Sequence, residues 1–375
     1  MRTRFVDIAV LAAVFALLVS SSAMAVDTDA IDMVRQQTVL YNSDMRVIDE
    51  FVGSGVKEIV RSRDYTTISQ IRNTILERVS DKKQYAEQFS QSAFKHISSE
   101  LKTLAKASDQ ERKFITTINL LVLVDRLEDP RVASIAVGML NDSNKAVQYR
   151  AVRAVTNPVL AAKLDQAKSG NSKMIQDIVG QFKVLAKDAG PELLGPIAEF
   201  AAAINVRPAE ELLLQIADMR IQQYAKWTVR NELLDAGILK AMYERGKLSA
   251  PGMSKPQIAG KFAQLYSYVI QRYLMDMNGG NFLNAGQRQQ LASVMAEIEK
   301  SCISQILKPQ SEIKNSIIHK STTTLQLKHN ELFGDKAGVG LLAKKLKFNY
   351  GKDKNGRALN TPLVLSARPV KLTAK

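Results

Sequence analysis

The chain has 375 residues, 46% of them hydrophobic and 24% charged, with 19 Gly, 10 Pro and one Cys. That composition excludes a disordered, collagen-like or disulfide-stapled protein and suffices for about two domains or one long repeat array. The formal charge of +15 points to an anionic partner, so the location of that charge matters.

Arg2 and Arg4 precede an unbroken apolar run from Ile8 to Val19, and Ala23-Met24-Ala25 places small residues where a signal peptidase reads. The run is shorter than the roughly 20 residues that span a bilayer. Residues 1–25 therefore read as a signal peptide of bacterial style, cleaved after Ala25, with the mature protein expected in the periplasm or outside the cell. Paired cysteines would be expected there if the fold needed staples, yet Cys302 has no partner. It sits on the stripe Leu291, Val294, Ile298, Cys302 and Ile306, which reads as a packed, inert thiol.

Residues 26–110 form an N-terminal helical region. A helical period runs from Ile31 through Val60, with Gly53-Ser54-Gly55 as a kink or break. Asp64 or Thr66 caps the next helix, bearing Ile68, Ile71 and Ile75. A third carries Tyr85, Phe89, Ile97 and Leu104, and Ser108-Asp109-Gln110-Glu111 forms a capping box before Phe114, Ile118 and Leu121.

Residues 111–308 continue as helix, turn, helix. Asp129-Pro130 supplies an N-cap and a proline at the first helical position, Asp142-Ser143 a second cap, and Asn157-Pro158 repeats the first arrangement. The starts fall 13 and 15 residues apart, 28 in all, close to the period of a repeat built from one helical hairpin. Over residues 115–164 the strings Leu127-Glu128-Asp129-Pro130-Arg131-Val132, Met139-Leu140-Asn141-Asp142 and Ala146-Val147-Gln148-Tyr149-Arg150-Ala151-Val152-Arg153-Ala154-Val155 resemble a HEAT-type repeat of the short, lyase-like variety. The resemblance implies an all-α fold, with helical hairpins stacked as a HEAT-like α-solenoid. It implies binding of a protein partner along a repeat surface, with Lys145, Gln148, Arg150 and Arg153 as candidate contact residues. Downstream, Gly190-Pro191 and Pro208 open helices, Trp227 extends the second of these, Gly237 and Gly246 read as C-terminal caps, and Asn278-Gly279-Gly280 closes the helix of Phe262, Tyr266 and Tyr273.

The charge is uneven. Residues 301–375 hold 14 Lys or Arg against 4 Asp or Glu, which is +10 of the +15. Residues 309–375 read as a basic, partly irregular tail. It is either solvated and flexible or folded as a hairpin from Leu346–Tyr350 returning as Leu363–Leu365. Lys344, Lys345, Lys347, Phe348, Tyr350, Lys352, Lys354 and Arg357 interleave cations with aromatics, a pattern suited to an anionic polymer, a membrane surface or nucleic acid.

No cofactor, metal or small-molecule substrate is expected. His96, His319 and His329 fall at no metal-ligand spacing, and Ser-x-x-Lys pairs such as Ser92/Lys95 lack the Lys-Thr-Gly that completes a penicillin-binding set. Gly338-Val339-Gly340 lacks the strand and third glycine of a dinucleotide site. The expectation is a non-enzymatic exported interaction or scaffold protein, with a tether to an anionic envelope polymer as the alternative.

Overall fold

The computed structural model describes residues 28–106, 108–248, 255–352 and 354–368. The expected signal peptide and its cleavage site lie outside them. The fold is all-α, and the chain divides into two compact units, Met1–Ala154 and Val155–Lys375. The border falls inside the stretch that resembles a HEAT repeat; neither residue 110 nor residue 308 marks a border between units. No described helix is long and apolar enough to cross a membrane.

The first unit contains α1 (Asp29–Gln36), α2 (Asn42–Arg61), α3 (Tyr65–Leu76), α4 (Lys83–Ala105), α5 (Gln110–Leu127), α6 (Pro130–Val137) and all but the last residue of α7 (Lys145–Val155). The helical period from Ile31 to Val60 is broken at residues 37–41, not at the glycines. There the Asp44 carboxylate accepts from the Tyr41 amide at 2.8 Å and starts α2 afresh. Gly53 and Gly55 lie inside an unbroken α2, where they make room. A Cβ on Gly53 would come within 2.7 Å of the His96 ring of α4, and one on Gly55 within 2.7 Å of Ile75 Cδ1 of α3. The close approach is why α2 and α4 share the most extensive packing in the unit.

Helix starts follow the Asx residues. Asp64 accepts from Thr67 N at 2.7 Å, and Asp129 from Arg131 N and Val132 N at 2.9 and 3.1 Å ahead of Pro130. Such a cap stabilises a helix by about 1 kcal/mol. Two expected caps move by a residue or two. Asp109, not Ser108, caps α5 through Arg112 N at 3.0 Å. Asn144 caps α7 through Ala146 N at 3.0 Å, while Asp142 turns the chain ahead of it by accepting from Asn144 N at 2.8 Å.

The second unit contains α8 (Pro158–Gln166), α9 (Ser172–Leu185), α10 (Pro191–Ala203), α11 (Arg207–Ala225), α12 (Leu234–Leu248), α13 (Lys255–Met275), α14 (Ala285–Ile298, prolonged through a wider turn to Ile306), α15 (Glu312–Ile318), α16 (Thr322–Phe333) and α17 (Leu341–Leu346). Asn157 caps α8 as expected, accepting from Val159 N at 2.9 Å. Gly237 and Gly246 do not cap α12. They lie in its interior with open space beside them, where a glycine costs about 1 kcal/mol and need not end a helix. Trp227 lies beyond the end of α11 with a left-handed φ of 58°.

Residues 309–368 are not a free tail. α16 and α17 pack on α13, and between them β1 (Gly334–Asp335) pairs antiparallel with β2 (Gly338–Val339). Gly334 and Gly340 mark tight packing, since a Cβ on Gly340 would overlap the backbone of Leu332, Phe333 and Gly334. The expected hairpin closes earlier than predicted. Tyr350 N donates to Leu359 O at 2.8 Å and Leu359 N to Gly351 O at 2.9 Å, so Leu363–Leu365 is free to pair elsewhere.

α13 organises this unit. It contacts α11, α12, α14, α16 and α17, and every residue from Phe262 to Leu274 is buried. A helix covered on all sides needs partners for its polar side chains. Arg272 donates to Glu232 Oε1 at 3.2 Å beneath the Tyr224 and Trp227 rings. Alongside, Arg220 makes a buried two-point pair with Asp235, Nε to Oδ1 at 2.7 Å and Nη2 to Oδ2 at 2.9 Å, and the Tyr224 hydroxyl donates to Asp235 Oδ2 at 2.7 Å.

Candidate functional site

Four side chains of α7 were the candidate partner contacts, and the structure separates them. Gln148 is buried. Its Nε2 donates to Leu140 O at 3.0 Å and its Oε1 accepts from Lys145 Nζ at 3.1 Å, so it closes the α6–α7 turn and is not offered to a partner. Lys145, Arg150 and Arg153 are exposed. Arg150 and Arg153, three residues apart, share a face of the helix.

Arg150 is one of two guanidinium groups whose charge acts on a third, Arg72. Arg72 of α3 is half-buried and fixed, donating to Asn119 Oδ1 at 3.2 Å and Ser69 Oγ at 3.3 Å. Asn119 is itself anchored on Ile115 O at 2.9 Å. Burial lowers the pKa of Arg72, and the charges of Arg126 on α5 and Arg150 on α7 lower it further. Elsewhere in the unit Arg78 pairs with Asp32 at 3.2 Å and Lys95 with Asp49 at 2.8 Å. Arg72 instead stands in the like charge of two other helices.

In the basic C-terminal segment, Lys344, Lys345, Lys347, Lys352, Lys354 and Arg357 are exposed as expected. The aromatics are not offered for stacking. Tyr350 donates its hydroxyl to Phe333 O at 3.0 Å, and burial raises its pKa; Phe348 packs edge-on against it, 5.2 Å between centroids. The backbone carbonyl of Asn349 lies so close to α13 that a Cβ on Gly260 would stand 3.0 Å from it. What remains is a lysine-rich surface on an ordered lobe.

Beyond it, residues 361–366 run as an extended strap along α13. Gln264 Oε1 accepts from Leu363 N at 2.7 Å while its Nε2 donates to Leu363 O at 3.2 Å. Gln271 Oε1 accepts from Leu365 N at 2.7 Å and its Nε2 donates to Leu363 O at 3.1 Å and to Ser267 Oγ at 2.8 Å. Asn330 Oδ1 can only accept and lies 3.4 Å from His329 Nδ1, which places the imidazole proton on Nδ1 and makes Nε2 the acceptor of the Ser267 hydroxyl, 2.8 Å away. Burial pushes the His329 pKa down to about 4, with a small opposing effect from Asn330. This neutral imidazole ties α16 to α13.

No family model matches the chain, and no curated protein does. Two solved structures are similar over most of its length. One is the crystal structure of an engineered protein, 14% identical with a TM-score of 0.27, covering 86% of this chain and 95% of that chain. The other comes from the computational design of self-assembling cyclic homooligomers, 12% identical with a TM-score of 0.21, covering 84% and 98% respectively. Likeness at that level carries no argument about the site.

The arginine cluster was not legible from spacing, because Arg72, Arg126 and Arg150 stand on separate helices and no motif joins them. The α13 clamp left a trace. Gln264, Ser267 and Gln271 recur at steps of three and four on a helix otherwise dominated by apolar residues, which marks a buried polar stripe. Cys302 is fully buried, and burial pushes its thiol up to about 11.

Proposed function

We propose that this chain is a non-enzymatic interaction protein of the HEAT-like repeat kind, acting after export, that binds an acidic segment of a protein partner through the arginine face of its first unit. The observation that supports it is Arg72, fixed by Asn119 and Ser69 and set in the like charge of Arg126 and Arg150. The repulsion that Arg72 feels is relieved when an anion enters, so binding energy and electrostatic relief act together. Lys145 and Arg153 extend the same sign of charge along α7.

The test uses a fluorescent octaglutamate peptide titrated into the full chain at low and high salt. Arg126→Glu with Arg150→Glu should weaken binding at least tenfold and flatten the salt dependence; Lys344→Gln with Lys345→Gln and Lys347→Gln should not. The reverse result favours a second reading, a tether in which the lysine-rich surface of the C-terminal lobe holds an anionic polymer. That reading is supported by exposed Lys344, Lys345, Lys347, Lys352 and Lys354 on a folded support. Export rests on residues 1–25, and the intact mass of the protein from a cell-envelope fraction, ending the loss at Ala25, reads it directly.

A further inference from the structure

The strap is held as one peptide is held by another. Four of its hydrogen bonds run between its own backbone and the side-chain amides of Gln264 and Gln271, alternating donor and acceptor as the edge of a sheet would. A fifth runs from Trp227 Nε1 to Ser366 O at 3.0 Å. All five engage main-chain atoms, so they read an extended backbone and not a sequence. Sequence is read at two points only: Pro362 and Leu365 are buried, whereas Leu363 is 49% and Val364 81% exposed.

Open space flanks the strap. A cavity of about 560 Å³, bordered by His329, Asn330, Thr361 and Val364 among others, lies along one side. A second of about 460 Å³, bordered by Gly260, Gln264, Tyr350 and Leu363, lies along the other. The strap thus lies at the surface. The groups that hold it stand on α13 and on the loop after α11, which the Arg272–Glu232 pair ties to each other without the strap.

From this geometry we propose that the groove of Gln264, Gln271 and Trp227 is a binding site for extended peptides of the pattern Pro-x-x-Leu from a partner protein, and that residues 361–366 occupy it in cis as an autoinhibitory ligand. The site is independent of the arginine face and lies in the other unit. A tethered occupant competes at an effective concentration of order mM, so a peptide in solution meets a groove that is closed at low partner concentration and opens at high.

The experiment uses the full chain and a fluorescein-labelled peptide with the sequence of residues 360–367. Leu365→Asp removes the strap's anchor and should raise peptide affinity at least tenfold over wild type. Adding Gln264→Ala and Gln271→Ala to that variant should return it to the wild-type level, and a peptide with Asp in place of its second leucine should not bind. Unchanged affinity in a Leu365→Asp chain that retains its helical circular dichroism overturns the proposal. If that variant does not fold, hydrogen exchange on the wild-type chain decides. Amides of Leu363 and Leu365 that exchange well before those of α13 support a removable strap, and exchange only on global unfolding overturns it. A wild-type chain that light scattering finds as a strap-exchanged dimer also overturns it, because a second copy would then be the occupant.

Discussion

Protonating His329 should open the second unit from within. Its ring is buried, accepts from Ser267 and packs on Phe333 with centroids 4.9 Å apart. Its pKa is held near 4 against an ordinary value of 6.5. The unfolded chain therefore takes up this proton first as pH falls. Stability associated with the neutral ring is intact above about pH 6.5, declines between 6.5 and 4, and is lost in full below 4. A shift of roughly 2.5 units at 1.36 kcal/mol each amounts to about 3 kcal/mol. Trp227 is the one tryptophan of the chain and lies in the second unit, so its fluorescence during urea denaturation reports on that unit. Carboxylates titrate in part of the same range, and the comparison with His329→Gln removes their contribution, since glutamine keeps an acceptor for Ser267 and does not titrate. Wild type should lose about 3 kcal/mol more than the variant between pH 6.5 and 4. Equal losses in the two proteins would refute the reasoning, as would a His329 ring that titrates near 6.5 in the native chain.

Asp235→Ala leaves the Arg220 guanidinium and the Tyr224 hydroxyl buried without their shared acceptor, and urea denaturation should show a loss of about 3 to 5 kcal/mol. Gly340→Ala forces a methyl group into the Leu332 to Gly334 backbone. It should lower stability by at least about 2 kcal/mol and depress the melting temperature of the second unit, and alanine is in addition a poorer N-cap for α17 than glycine. Cys302, with its thiol pushed up to about 11 and no exposed surface, should resist iodoacetamide at pH 8 in the native chain and react fully in urea; rapid native labelling, read by mass, would contradict its placement.

What could be read from the chain was local. Asp64, Asp129 and Asn157 announce their helices because a cap is a contact over two or three residues, and proline beside two of them sharpens the signal. Gly53 and Gly55 misled because the reason for them is 20 to 43 residues away, in Ile75 and His96. Gln148 looked like a surface residue by type, and only the turn it closes onto Leu140 shows otherwise. The HEAT-like string located a helix pair and left the anion-favouring cluster unseen, since Arg72 joins Arg126 and Arg150 only through tertiary packing. The lysines after α16 were correctly read as exposed, while Phe348 and Tyr350 went the other way because α13 offers a glycine at the point where they land.

The strap also imposes an order of assembly. Its partners lie 92 to 139 residues earlier in the chain. Closing a loop of that length from an unfolded chain costs of order 4 kcal/mol in entropy, about what the strap's five main-chain hydrogen bonds return at roughly 1 kcal/mol each, so little net gain is left. Helix pairs such as α10 with α11 or α13 with α14 join neighbours and need no such closure. The strap can settle only after α13 and its surroundings have already brought the two ends near. It is then the last part of the second unit to arrive and, by the same kinetics, the first whose departure leaves the helices standing.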